Sequence, residues 1–436
     1  SMTDGEVRRD WLRGLAIVFA AVLFYCVLLA GFRLLASDVL GEDDVVEAVF
    51  AQYLRVAYDF FPRQPPLYNW LLYGVQQVFG LGVEGFLLIK YAALTATALL
   101  LYLASYRAFN DRLFAILSVE SLALIYQIAW RYHEGFTHEV LAMVFAMATV
   151  CVLFWIVQSP RLTGFVLLGL CAGFGFLTEP TYYVFLACIF ASVALHRAAR
   201  RVVCRSSLLI SVIFALCFAS PYWFWVFEVG GCRASCLQLI DLNAAGSLAN
   251  FWDALRGPFA YLSPLIVILP IVFPGFLKPA WRDLCRAPNQ TDAADLQQLS
   301  LHTGLLAIAG SLVAALALGI KGQAIHVLMP LYLPTVIWLF GVAHRSGDTA
   351  RPVWWFTRVA LAIAMVAFVA RLANLFVLDP VCKTCRWGIP YAGLAQQMEQ
   401  AGVVETATIV TVDKELGGNL RRYFPQAAIV MRLYPH

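Results

Sequence analysis

The run GLAIVFAAVLFYCVLLAGFRLLA at 14–36 carries one charge, Arg33, close to its end. Spanning a bilayer core about 30 Å thick takes ~20 apolar residues in a helix, so this run reads as a membrane crossing. It lacks a convincing small-residue cleavage site and reads as a retained helix. Outward from it, apolar stretches recur at 85–106, 113–130, 140–157, 165–177, 182–196, 207–226, 259–276, 301–320, 327–342 and 354–377. That makes about eleven spans, the fifth short enough to be tilted, broken or re-entrant. The composition agrees: of 436 residues, 61% are hydrophobic and only 13% charged. An ordinary soluble domain is about a quarter charged. So much apolar surface excludes a soluble globular enzyme, a disordered chain and a nucleic-acid-binding module. The runs are continuous rather than alternating, which argues against a β-barrel. The expected fold class is an all-α polytopic membrane protein.

Placement of Lys and Arg sets the orientation. Arg8, Arg9, Arg13, Arg107, Arg112, Arg161, Arg197, Arg200, Arg201, Arg205, Lys278, Arg282, Arg286, Arg345, Arg351 and Arg358 fall on one side; Arg33, Arg55, Arg63, Arg131, Arg233, Arg256 and Lys321 fall on the other. The richer side is expected to be cytoplasmic, with the amino terminus inside. An odd number of spans then puts the carboxyl terminus outside. The membrane part is expected over 1–377, with long outer loops at 37–84 and 227–258. The segment 378–436 has soluble composition: ATIVTVD at 407–413 and AAIVMRLYP at 427–435 read as short strands, and PYAGLAQQMEQAG at 390–402 as an amphipathic helix. It is expected to form a small outer α/β domain.

There are 11 cysteines. Cys26, Cys151, Cys171, Cys188 and Cys217 sit within apolar runs, where a small core residue is the simple reading. Cys232/Cys236 and Cys382/Cys385 lie in outer segments. A zinc site normally needs four ligands; in an oxidising compartment, a local disulfide in each pair is the better expectation.

The first outer loop, GEDDVVEAVFAQYLRVAYDFFPRQPPLYNWLL at 41–72, concentrates the candidate chemistry. Asp43 and Asp44 stand just beyond the first span, with Glu47 one turn on. Carboxylates at a membrane surface suit proton abstraction from an incoming hydroxyl, or the holding of a divalent cation against a phosphate. They equally suit the start of a solvated helix. The rigid Gln64-Pro65-Pro66 and the Tyr68/Trp70 cluster follow; an interfacial belt explains the aromatics but not the prolines. In the second outer loop, WRYHEGFTHEV, His133 and His138 are five apart and do not share a helix face, which excludes a zinc-protease site. A polar floor facing the first loop and a solvated turn both fit Glu134 and His138. Glu179 in FLTEPTYY lies near membrane depth, as a functional group or as a cap beside Pro180. Lys321 and His326 could neutralise a phosphate, or Lys321 could snorkel. There is no Walker A loop, no dinucleotide fingerprint, no GxSxG and no EF-hand loop, so any substrate must arrive already activated.

Taken together, Asp43-Asp44, then Leu54, Ala57 and Tyr58, then Gln64-Pro65-Pro66-Leu67-Tyr68-Asn69-Trp70 resemble the first outer loop of GT-C type glycosyltransferases. The resemblance is to family 39, which includes protein O-mannosyltransferases and lipid A aminoarabinose transferases. Thr137-His138, Pro221-Tyr222, His326 with Pro330, and the ending KELGGNLRRYFP also fit bacterial members. Glu134 and Glu179-Pro180 depart from the family pattern. The resemblance implies a bacterial inner-membrane enzyme with its active site and carboxyl terminus in the periplasm. It would move a sugar (hexosyl, pentosyl or uronosyl) from a polyprenyl-phosphate donor to a hydroxyl of lipid A, a polysaccharide or a protein, inverting the anomeric centre. Asp43 falls on the family's catalytic aspartate. Asp44 would position the acceptor or a metal. Glu47, Gln64, Tyr68, Glu134, His138 and Glu179 would line the acceptor or donor-sugar site. Lys321, His326, Arg63 and Arg131 would hold the donor phosphate. No cofactor is required by any ligand set in the sequence, although a divalent cation is compatible with the carboxylates. The rival expectation is a transporter or flippase for a lipid-linked solute. Against it, polar residues gather at the outer face and no internal repeat is visible.

Overall fold

The computed structural model describes residues 4–58, 64–228, 245–288, 291–319, 328–378 and 387–431, with side chains from Arg9 onward. Arg63, Lys321, His326, Cys232, Cys236, Cys382 and Cys385 lie outside the described residues. The first eleven helices are α1 (Asp4–Ala36), α2 (Asp44–Phe50), α3 (Leu67–Phe79), α4 (Val83–Phe109), α5 (Arg112–Glu120), α6 (Tyr126–Ala129), α7 (His138–Gln158), α8 (Leu162–Phe176), α9 (Thr181–Leu195), α10 (Arg197–Val203) and α11 (Leu208–Glu228). Then come α12 (Leu248–Tyr261), α13 (Leu265–Val272), α14 (Leu277–Leu284), α15 (Leu296–Leu318), α16 (Met329–Tyr332), α17 (Thr335–His344), α18 (Ala350–Ala373), α19 (Tyr391–Gln400) and α20 (Lys414–Leu420). Strands β1 (Thr408–Thr411) and β2 (Ala428–Met431) pair in parallel, Thr408 opposite Ala428.

Among the described residues, six helices are long and apolar enough to cross a membrane: α1, α4, α7, α11, α15, and α18 continued to Leu378. Helices α9 and α10 form a seventh candidate, bent by 114°. Helix α8 and the segment Met329–His344 are apolar but shorter.

Two stretches that read as single spans are broken. In 113–130, α5 stops at Glu120 and a 3₁₀ turn (Ser121–Leu124) leads to extended backbone at Ile125. Ile125 bridges Pro264, and the Tyr126 amide donates to the Ser263 carbonyl at 3.1 Å. In 259–276, Pro264 stands between α12 and α13; Pro334, between α16 and α17, keeps helical dihedrals and leaves Met329–His344 one apolar segment. Proline has no N–H to continue a helix. The bridge between 125–126 and 263–264 pairs backbone groups freed at these two breaks, as irregular chain at membrane depth requires. Counting apolar residues registers that these stretches are buried, not that they are continuous helices.

Helix ends follow local chemistry. Asp111 caps α5 by accepting from the Phe114 amide at 3.0 Å, and Asp295 caps α15 by accepting from Gln298 at 3.1 Å. Helix α8 meets α11 through Gly169 and Gly173, a small-xxx-small pair: a Cβ at Gly169 would sit 2.6 Å from the Ser211 carbonyl oxygen. The Ser211 hydroxyl then donates to the Phe165 carbonyl at 2.6 Å.

Between α14 and α17, Arg345 grips the buried Asp283 with two hydrogen bonds, 3.1 and 2.6 Å, and the Trp338 indole donates to the same carboxylate at 3.1 Å. Asp283→Ala removes a charged acceptor from three donors. The expected cost is about 2 kcal/mol, moderated because Arg345 reaches solvent. A fall in the melting temperature of the purified protein is the expected observation.

Candidate active site

Helix α2 has seven residues, all buried, Asp44 and Glu47 included. A helix this short does not stand alone in water; its neighbours hold it. Asp43 occupies the N-cap position, yet its carboxylate makes no capping bond. The usual reason for an Asp at a helix start therefore does not account for it.

Glu47 ties the first and second loops together. Its carboxylate accepts from the Asn69 side-chain amide in α3, lies 2.7 Å from His138 Nε2 at the start of α7, and accepts from Thr137 Oγ1 at 3.4 Å. Tyr68 is buried beside this knot, its ring 5.4 Å from the His138 imidazole. Residues that were read in the first loop and in the second loop thus form one polar cluster. The Leu67 amide donates to the Leu177 carbonyl at 2.9 Å, which fastens the start of α3 to the turn that carries Glu179.

The two aspartates experience different surroundings. Burial, with Glu47 next in weight, pushes the Asp43 carboxyl up to about 6; His138 and Lys414 oppose the rise. Burial pushes Asp44 up to about 7, opposed first by Lys90 and then by Arg33, while Asp43 adds to the rise. Asp44 Oδ1 is buried with no hydrogen-bond partner among the described residues. Beneath it, Lys90 in α4 is only 4% exposed. Arg371 in α18 donates to the Trp130 carbonyl at 2.7 Å and lies 4.6 Å over the Trp130 ring. Arg33 donates to the carbonyls of Ser37 and Val39 and lies 4.2 Å over Trp387.

The remaining candidates are placed less centrally. Glu134 pairs with Arg131 at 3.0 Å, and the Arg131 guanidinium lies 5.3 Å over Phe136. Glu179 is buried and accepts from the Thr181 amide at 3.4 Å and from its hydroxyl; burial raises its carboxyl above the usual range. Gln64 Oε1 is buried and unpartnered among the described residues. Among those residues, no group of three or more His, Cys, Asp or Glu side chains could hold a metal ion.

Sequence reasoning passed over Asn69, Thr137, Lys90 and Arg371 as site residues. A lone cation within an apolar run was the available signal for Lys90 and Arg371. Nothing in the spacing marked Asn69 apart from its place beside Tyr68.

The family described as dolichyl-phosphate-mannose-protein mannosyltransferase matches residues 63–225. The lipopolysaccharide core galacturonosyltransferase RgtB of Rhizobium johnstonii is 25% identical, over 100% of this chain and 85% of its own length. RgtA of the same organism, also a lipopolysaccharide core galacturonosyltransferase, is 23% identical, over 94% of this chain and 81% of its own. The structure of ArnT from Cupriavidus metallidurans bound to undecaprenyl phosphate superposes with a TM-score of 0.64 at 15% identity, covering 94% of this chain and 86% of that one. The chain shares its fold with ArnT and is similar to GT-C type glycosyltransferases of family 39. Its apolar helices make it a multi-pass membrane protein. The apo form of the same ArnT gives a TM-score of 0.59 at 14% identity. The family match begins within the first loop, after Asp43 and Asp44, and ends in α11, so it takes in α3, the Thr137-His138 pair and Glu179.

Proposed function

We propose that this protein is a glycosyltransferase that takes a sugar from a polyprenyl-phosphate donor and transfers it to a hydroxyl of a lipopolysaccharide-type lipid on the periplasmic face of the bacterial inner membrane. The observation that carries the reading is Asp43: a partly exposed carboxylate, free of capping duty, at the rim of a buried polar cluster. Its elevated proton affinity suits a general base. Asp43 accepts the proton of the acceptor hydroxyl as its oxygen attacks the anomeric carbon. The bond from that carbon to the phosphate oxygen breaks on the opposite face, so the configuration inverts and polyprenyl phosphate leaves. Asp44, Glu47 and His138 keep this helix in place and present the acceptor. Lys321 and His326, with Arg63 and Arg131, neutralise the phosphate as charge develops on it. Uronosyl transfer is the preferred sugar reading, because both curated relatives are galacturonosyltransferases.

The test uses purified protein with a polyprenyl-phosphate galacturonic acid donor and a lipid A-core acceptor. Glycosylated acceptor and free polyprenyl phosphate in equal amounts is the expected result. Movement of the donor across a proteoliposome bilayer with no new glycosidic bond would favour a flippase and end the proposal.

The same reading assigns Lys90 a role through Asp44. Lys90→Met leaves that buried carboxyl without its leading opposing charge. Transfer is expected to fall about tenfold or more, and Lys90→Met with Asp44→Asn should be less than additive, since groups in one network couple by ~0.5–3 kcal/mol. Strict additivity in a double-mutant cycle would separate the two residues.

A further inference from the structure

The outer C-terminal segment makes an unusually specific attachment to α2. Two side-chain amides form reciprocal pairs with distant backbone. Asn419 in α20 accepts from the Leu40 amide at 2.7 Å and donates to the Leu40 carbonyl at 3.1 Å. Gln52, just past the end of α2, accepts from the Ile429 amide at 2.9 Å and donates to the Ile429 carbonyl at 3.0 Å. One clamp lies before Asp43 and the other after Phe50, so the short helix is held at both ends. Between the clamps, Val49 joins a buried core with Ile409, Leu420, Phe424 and Ile429. Gly418 lies flat on α2: a Cβ there would sit 2.5 Å from the Cα of Val45. The opposite side of α2 carries Glu47 into its cluster with Asn69 and His138.

This geometry exceeds what an attached outer domain needs. An appendage can be joined through any exposed surface, whereas here it grips the short helix that follows Asp43 at both ends, while Glu47 anchors the other side. We propose that the C-terminal α/β segment is a positioning element of the catalytic centre, with Asn419 and Gln52 as the positioning residues that fix the aim of Asp43 and Asp44. The inference rests on the reading of Asp43 as the base. A misplacement of about 1 Å in a catalytic group can cost ~10²-fold in rate, so the clamps act on turnover rather than on donor affinity.

The experiment uses full-length Asn419→Asp, Gln52→Ala and Gly418→Ala proteins beside Asp43→Asn. Asn419→Asp keeps the acceptor for the Leu40 amide and loses the donor to the Leu40 carbonyl. The expected result is a fall in kcat of about 10–100-fold, with the donor KM within twofold of wild type. Hydrogen exchange at the amides of 44–51 should be at least tenfold faster, while α4 and α7 stay protected. Gln52→Asn, which keeps both hydrogen-bonding groups on a shorter arm, should recover part of the loss seen in Gln52→Ala. Wild-type kcat in the clamp variants, or a loss confined to donor KM, overturns the inference, as does unchanged exchange in α2. For a variant too unstable to assay, exchange of the folded fraction of the other two decides. If Asp43→Asn transfers sugar normally, the reading of the base fails instead; if it is inactive while the clamp variants are fully active, only the positioning role fails.

Discussion

Asp43→Asn is expected to lower kcat for sugar transfer by about 10²–10⁴-fold, the usual share of a general base, with the donor KM little changed. The substitution keeps the size of the side chain and removes only its capacity to take a proton. Because Asp43 makes no cap bond to α2, the helix loses no hydrogen bond, and the melting temperature should stay within a degree or two. The pH profile gives an independent check. The base works when ionised. Burial and the neighbouring Glu47 raise the Asp43 carboxyl to about 6, so kcat/KM of the wild type should fall roughly tenfold per pH unit below about pH 6 and level off above it. The residual activity of Asp43→Asn should lack that acid limb. Near-wild-type transfer by the variant, or an acid limb that survives the substitution, would remove Asp43 from the role.

How far this site was legible in the sequence depends on which interactions are local. The polytopic helical fold follows from composition alone, since no soluble arrangement hides so much apolar surface. The Asp43-Asp44 pair and the Pro-Pro-Leu-Tyr segment could be picked out because they lie within one loop. The joining of Glu47 to Thr137 and His138 could not: it is a contact across some 90 residues, set by how α2, α3 and α7 pack, and the second loop alone fitted a solvated turn equally well. The break at Pro264 was visible as a proline, yet its effect on span continuity depends on neighbours that accept the freed backbone groups. The clamp on α2 joins positions nearly the whole chain apart, and a soluble-looking tail carries no signal of where it docks.

Glu47→Ala should be the most damaging change that does not touch the reacting atoms. It deletes the acceptor shared by Asn69, Thr137 and His138. His138 Nδ1 already has no partner among the described residues, so its ring would lose the contact that orients it. Leaving buried donors without an acceptor costs about 1–3 kcal/mol for each group, and the cluster connects the two loops that form the site. A lowered melting temperature and a loss of transfer of at least tenfold are expected together. Glu47→Gln separates the two effects. The amide retains one acceptor oxygen and much of the packing, so stability should largely return. The negative charge beside Asp43 is gone, and that charge is the second cause of the raised Asp43 carboxyl. Its removal lets Asp43 ionise more readily, so the acid limb of Glu47→Gln should move to lower pH than in the wild type even where its maximum rate is smaller. An acid limb that stays in place or moves upward would mean that Asp43 and Glu47 do not share one electrostatic environment, and the cluster would then be a structural knot separate from the base.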